Sequence, residues 1–298
     1  MILGTVQLGL SYGRTNSFPA PTIEEACSIL DEFVHNGFNE VDTARVYGSS
    51  ESFIGHYLRN TSNQLVVHTK LAPLQKKEHG NIVSAKRAIE RSLMHSFSEL
   101  EGAKIETIMA HRLADLQAFN WKVLEYLCLI AEEHSINRVG ASVQNPEELL
   151  AVLDFPEISH IQLPLNILDH RWFDALEVAK DKSQLRIHIR SCFLQGILLT
   201  DNTEMWPVVE KVNSRELPEL LDRWVEKFER ESRADLCVAY ARSLGLFDGI
   251  VLGNANIDQV RANSNLFCKT LLTAGQMDEI KGSVPSLPEH LLNPALWG

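Results

Sequence analysis

The sequence predicts a single-domain (β/α)8 TIM barrel, and three observations carry that prediction. Eight short apolar runs, mostly β-branched, alternate from end to end with amphipathic helical patterns. Such alternation builds parallel sheets with helical crossovers. The chain has 298 residues, which suits one barrel of about 250 residues with added loops. Several runs end in a reactive side chain (Asp42, Lys70, His111), and a parallel barrel gathers the C-terminal ends of its strands into one site. No low-complexity linker and no sequence repeat divides residues 1–298.

The elements follow in order. The first strand is predicted over Ile2–Leu8. Thr22-x-x-Glu25 is a capping box, and Ala26, Ile29, Leu30 and Phe33 follow it at helical spacing, with Gly37 as the stop. Strands are predicted next at Phe38–Asp42, Leu65–Lys70 and Ile105–His111, and between the last two Ile82, Ala85, Ile89, Leu93, Phe97 and Leu100 form a helical stripe. After a strand at Arg138–Ser142, Asn145-Pro146-Glu147-Glu148 combines an N-cap, a proline at the first helical position and acids in the first turn. Strands at Ile158–Leu163, Leu185–Arg190 and Gly249–Gly253 complete the set. Asn256-x-x-Gln259 caps a helix running to about Asn265. The longest irregular stretch, about 201–218, follows the seventh strand and is expected over the active face, where loops set substrate choice.

Composition narrows the function. The formal net charge is −11, which argues against a nucleic-acid or anionic-membrane surface. The five cysteines are scattered, without CxxC or other metal-ligand spacing, as in a reduced, cytoplasmic protein. The N-terminus shows no charged leader followed by an apolar stretch, and no apolar run approaches membrane-spanning length. A metal-dependent barrel hydrolase would need clustered ligands, typically HxH on a strand, and none occurs. No metal is expected.

Asp42, Tyr47, Lys70 and His111 make chemical sense as a unit. A phenol ordinarily titrates near 10 and transfers protons poorly at neutrality. An ammonium beside it favours phenolate, so Lys70 can tune Tyr47, while Asp42 anchors Lys70. His111 can orient a substrate oxygen by hydrogen bonding. Such a set moves a proton to a carbonyl oxygen or from an alcohol. It holds no hydride, so a redox cofactor must supply one.

The stretch Gly37-Phe38-Asn39-Glu40-Val41-Asp42-Thr43-Ala44-Arg45-Val46-Tyr47-Gly48-Ser49-Ser50-Glu51 resembles the G-x-x-x-x-D-T-A-x-x-Y-G-x-S-E signature of the aldo-keto reductase superfamily. Lys70 in His68-Thr69-Lys70 is similar to that family's third-strand lysine, and His111 in Met109-Ala110-His111-Arg112 to its fourth-strand histidine. The resemblance runs almost to the C-terminus. It implies an NAD(P)H-dependent carbonyl reductase on a (β/α)8 barrel, binding its cofactor across the C-terminal rim without a Rossmann domain. The absence of GxGxxG agrees.

The resemblance also implies cofactor contacts. Gly140-Ala141-Ser142 resembles the segment whose serine holds the carboxamide, although Val143 replaces the asparagine that often follows. Gln162 matches the sixth-strand glutamine near the nicotinamide. Arg190-Ser191-Cys192-Phe193-Leu194-Gln195-Gly196 matches a segment that often begins with an aromatic residue stacked on the nicotinamide. A guanidinium plane can stack too, or Arg190 can bind an anionic substrate. Gly253, Asn254, Asn256, Gln259 and Asn263 resemble the adenosine-phosphate segment, where a capped helix start offers N–H groups. Relatives often place cations there for the 2′-phosphate; here Gly253, Asn254 and Gln259 stand instead, and only an inward-pointing Arg261 can compensate. NADPH is the implied cofactor, with NADH its competitor. Thr5 joins the cofactor contacts, and Tyr12, Trp206, Tyr47 and His111 are expected to meet a small-molecule carbonyl substrate, with Phe18 bordering it.

The opening Gly4-Thr5-Val6-Gln7-Leu8-Gly9 and Phe193-Leu194-Gln195-Gly196 resemble bacterial members associated with sugar or surface-polysaccharide metabolism, which implies a sugar-like substrate. A monomer or weak homo-oligomer is expected. The rival reading is a cofactor-binding sensor on the same fold, with little turnover.

Overall fold

The computed structural model describes residues 1–209 and 216–297. Eight parallel strands close into a barrel in sequence order: β1 (Ile2–Gly4), β2 (Glu40–Asp42), β3 (Val66–Lys70), β4 (Lys104–Ala110), β5 (Arg138–Ser142), β6 (Ile158–Pro164), β7 (Arg186–Arg190) and β8 (Gly249–Gly253). Closure is direct: Leu3 of β1 lies opposite both Val41 of β2 and Leu252 of β8.

The crossover helices are α1 (Ile23–His35), α2 (Ser50–Arg59), α3 (Ile82–Glu99), α4 (Lys122–Glu133), α5 (Pro146–Val152), α6 (Phe173–Ala179), α7 (Arg233–Leu244) and α8 (Ile257–Leu266). Their starts are fixed locally. The capping box before α1 is complete, Thr22 Oγ1 accepting from Glu25 N at 3.3 Å and Glu25 Oε2 from Thr22 N at 2.8 Å. Asn145 caps α5 at 2.8 Å and Asn256 caps α8 at 2.9 Å. Each helix lays its apolar stripe on the barrel; in α1 the buried set is Ala26, Ile29, Leu30 and Phe33. Among the described residues no helix is long and apolar enough to cross a membrane.

The first strand is shorter than predicted. It ends at Gly4, and Val6–Gly9 form one helical turn. The Thr5 amide still bonds Asp42 O at 2.9 Å, but beyond it the chain must fold under the loop after β2. A Cβ on Gly9 would lie 1.8 Å from Tyr47 O, an approach that only glycine permits.

Candidate active site

The loop after β2 is held by its own hydroxyls. Thr43 Oγ1 and Ser50 Oγ lie 3.0 Å apart, Ser50 Oγ donates to Thr5 Oγ1 at 2.6 Å, and Thr5 Oγ1 donates to Asp42 O at 2.8 Å. Gly48 adopts a φ of +56°, and a Cβ there would lie 2.3 Å from Gly9 O. The motif's last acid, Glu51, is buried, pairs with Arg45 and accepts from Thr69 Oγ1 at 2.6 Å. These residues build a scaffold, and its product is the direction of Tyr47.

Asp42, Tyr47, Lys70 and His111 line one cavity at the C-terminal ends of β2, β3 and β4. The buried Lys70 ammonium donates to Asp42 Oδ1 at 2.6 Å, to Asp42 Oδ2 at 2.7 Å and to Thr43 O at 3.2 Å. Its three protons are thus taken. It still sits 5.3 Å from the centre of the Tyr47 ring, and the His111 ring meets Tyr47 edge-on at 5.9 Å. Burial pushes the Tyr47 phenol above its ordinary 10, against a downward pull from Lys70. The tuning expected of Lys70 is present but outweighed by desolvation. Burial, then Lys70, lowers His111 to about 4. It is neutral at pH 7 and has one ring N–H to offer a carbonyl oxygen.

The cavity holds about 610 Å³, within the usual range for small-molecule sites. Among the expected contacts, Thr5, Tyr12, Ser142, Gln162, Arg190, Ser191, Phe193, Gln195, Gly196, Gly253, Gln259 and Asn263 line it. Four do not. Trp206 is 2% exposed and packed into the hydrophobic core, so the substrate role expected of it is withdrawn. Leu194 is likewise core. Asn254 turns inward, donating to Leu252 O and accepting from Asn263 Nδ2 at 2.8 Å. Asn256 spends its side chain on capping α8. Of the predicted loop, residues 201–209 and 216–218 do not line the cavity, and 210–215 lie outside the described residues. The mouth is bordered instead by the segment after β1, including Tyr12, Thr15, Asn16 and Phe18, and by Pro294 and Ala295. Sequence reading missed Gln7, Gln144 and this C-terminal pair. They stand in single turns or connections too short to carry a periodic signal.

Polar details bear on a cofactor. Gln162 Nε2 donates to Asp42 Oδ1 at 2.7 Å, while its Oε1 is buried with no partner, leaving an acceptor beside Ser142 for an amide N–H. After β7, Ser191, Leu194 and Gln195 adopt positive φ, as does Gly196. Turns of this kind present successive N–H groups to anions. Arg190 donates to Gln144 Oε1 at 2.9 Å and to Ser191 Oγ at 3.4 Å, with no ion pair among the described residues. Since Asp42 offsets Lys70, Arg190 is the uncompensated charge among the described lining residues. Arg261 does not point inward. It pairs with Glu32 of α1 at 2.9 and 3.0 Å.

Known proteins place this geometry. The model of the Aldo/keto reductase family matches residues 1–284. The chain belongs to the aldo/keto reductase family. It is accordingly an oxidoreductase built on that family's barrel. The Saccharomyces cerevisiae protein named "Probable aryl-alcohol dehydrogenase AAD4" aligns with this aldo/keto reductase at 22% identity, covering 88% of each chain. A second yeast relative, AAD14, aligns at 25% identity over 58% of this chain, and the match spans only 48% of AAD14 itself. The aldo-keto reductase AKR11C1 of Bacillus halodurans, in its holo form, superposes with a TM-score of 0.77 at 21% identity, covering 96% of this chain and 92% of its own. That likeness shows the fold.

Proposed function

We propose that this aldo/keto reductase is a cytoplasmic enzyme that reduces an aldehyde or ketone to an alcohol, using NADPH or NADH. The observation that carries the proposal is the convergence of Asp42, Tyr47, Lys70 and His111 on one wall of the cavity. Gln162 Oε1 and Ser142 would take the carboxamide, the positive-φ turn after β7 would face the phosphates, and Gly253, Gln259 and Asn263 would border the adenosine. When bound, the reduced nicotinamide supplies a hydride. Tyr47 gives its proton to the carbonyl oxygen, and neutral His111 donates a hydrogen bond that fixes that oxygen. Lys70, pinned by Asp42, lowers the cost of the tyrosinate left behind.

Among the described residues, Gly253, Gln259 and Asn263 border the adenosine segment without a charge of their own, and Arg261 pairs with Glu32, so NADH is a full competitor of NADPH here. The lining favours a small polar carbonyl compound, since Gln7, Asn16, Gln144 and Gln195 contribute to it. The name of the AAD4 relative adds aromatic aldehydes to the candidates, and Tyr12 and Phe18, each nearly half exposed, offer an aromatic rim. Arg190 would stack on the nicotinamide or receive an anionic group of the substrate.

Fluorescence titration with both nucleotides, then turnover on sugar-like and aromatic aldehydes by wild type and Tyr47→Phe, tests the proposal. Binding with turnover that collapses in Tyr47→Phe is the expected result. Binding without turnover on any aldehyde would support the sensing reading, and no binding would exclude both.

A further inference from the structure

Each active-site residue on four strands has a polar residue two positions earlier: Glu40 before Asp42, His68 before Lys70, His160 before Gln162 and His188 before Arg190. Residues two apart on a strand face the same way, displaced by about 6.6 Å. Beneath the cavity therefore lies a second polar layer, nearer the N-terminal mouth. Such layers are ordinarily filled by Val, Ile and Leu. Here three buried imidazoles meet edge to face, with ring centres 4.2 Å apart for His160–His188 and 5.0 Å for each of the other two pairs.

Hydrogen bonding leaves the layer incomplete. His68 Nε2 lies 2.9 Å from Glu40 Oε2, and His68 Nδ1 lies 3.0 Å from Thr107 Oγ1, which in turn is 2.9 Å from His160 Nδ1. His188 Nδ1 and His160 Nε2 are buried with no partner. Orphaned buried nitrogens are rare and call for an explanation.

We propose that Glu40, His68 and His188 form a binding site for a divalent metal of the zinc class, which ties β2, β3 and β7 together at the N-terminal mouth. One donor atom from each lies within 4.8 Å of the others. Donors of a tetrahedral zinc site sit about 3.3 Å apart, so the widest gap closes by no more than about 1.5 Å. Two imidazoles and a carboxylate suit zinc, cobalt, nickel or copper, with water in the fourth position.

The surroundings match a metal site in three respects. His68 would ligate through Nε2 while Nδ1–H donates to Thr107, the outer hydrogen bond that orients ligating histidines. His188 Nδ1 is buried without a hydrogen-bond partner, so this ring nitrogen is not claimed within the protein. The Glu40 side chain is one-third exposed, which gives an entry path. Arg186, 3.4 Å from Glu40 Oε2, Arg138, Lys70 and the α-amino group are the opposing charges that act on the layer. Glu40 has a second oxygen with which to serve metal and arginine together. Hydride chemistry above needs no metal; this one would stabilise the barrel.

The test uses the untagged full chain, stripped with a chelator and titrated with Co²⁺, reading the visible bands of tetrahedral cobalt and the melting temperature. One equivalent should produce the bands, zinc should displace them, and the melting temperature should rise. His188→Ala and Glu40→Gln should abolish both effects. Glu40→Gln guards against misfolding, because a glutamine can still bond His68, and circular dichroism checks the fold. No bands and no thermal shift in wild type would overturn the proposal. So would bands that persist in both variants, which would place the ion on surface histidines.

Discussion

Replacing Lys70 by Met keeps the length of the side chain and removes its charge. Lys70 is 1% exposed and Asp42 3%. In the variant, Asp42 keeps only the Gln162 amide at 2.7 Å, and Thr43 O loses its side-chain donor. Breaking a buried ion pair by deleting one partner costs about 3–5 kcal/mol, because the other charge stays buried and uncompensated. Against a total stability of about 5–15 kcal/mol, the single variant should lose a fifth or more of it. Removing both charges in Lys70→Met/Asp42→Leu should restore much of that loss. Its residual cost is the orphaned Gln162 amide, about 1–3 kcal/mol. Urea unfolding of wild type, both single variants and the double variant closes the cycle, with a coupling energy of at least about 2 kcal/mol expected. A Lys70→Met cost below about 1 kcal/mol, or a double variant no more stable than Lys70→Met, would show that the pair is not the buried, mutually dependent unit described here.

Three further outcomes are expected. His111 sits at about 4 in the fold and near 6.5 when unfolded, so between those values only the unfolded chain binds the proton. Its stabilisation is complete above about pH 6.5 and is lost as pH falls towards 4, a term of about 3 kcal/mol; urea unfolding across that window should show a shallower fall in His111→Asn than in wild type. Gln259→Arg should raise the NADPH-to-NADH ratio of kcat/KM by about tenfold to a hundredfold, the worth of one charged hydrogen bond to phosphate, and an unchanged ratio would remove this segment from the adenosine site. Gly48→Ala meets both a φ of +56° and Gly9 O at 2.3 Å, whereas Gly37→Ala meets a φ of +87° and open space. Thermal melts should place Gly48→Ala lower, by more than the roughly 1–2 kcal/mol of left-handed strain that both share.

The barrel was legible because its signals are local and periodic. Thr22 and Glu25, or Asn145 and Pro146, announce a helix start within four residues, and apolar runs of strand length repeat between them. Asp42, Lys70 and His111 were legible for a different reason: strand ends fix their direction, so sequence position implies spatial position, and Tyr47 was legible through the motif that joins it to Asp42 and Glu51. Loops lack that rule. Trp206 stands in an irregular segment yet is core, Asn254 faces inward between lining neighbours, and Arg261 finds Glu32, 229 positions away. Each outcome depends on a contact that no spacing encodes.

Between these extremes lies the lower polar layer. Glu40-Val41-Asp42, His68-Thr69-Lys70, His160-Ile161-Gln162 and His188-Ile189-Arg190 share one pattern, and period-two alternation turns all four pairs to the same side. Taken singly, His68 is most simply a core residue. Taken with closure, β2 beside β3 and β6 beside β7, the four pairs must converge on the barrel axis. The positions were written in the strands, but convergence required the ring. The upper members then face the mouth where nucleotide and substrate would enter, while the lower ones close the floor beneath them. Perturbing Glu40 or His188 should therefore act first on stability, and perturbing Tyr47 or His111 on turnover. A variant in the lower layer that abolished turnover while leaving the melting temperature unchanged would contradict this division of the barrel interior.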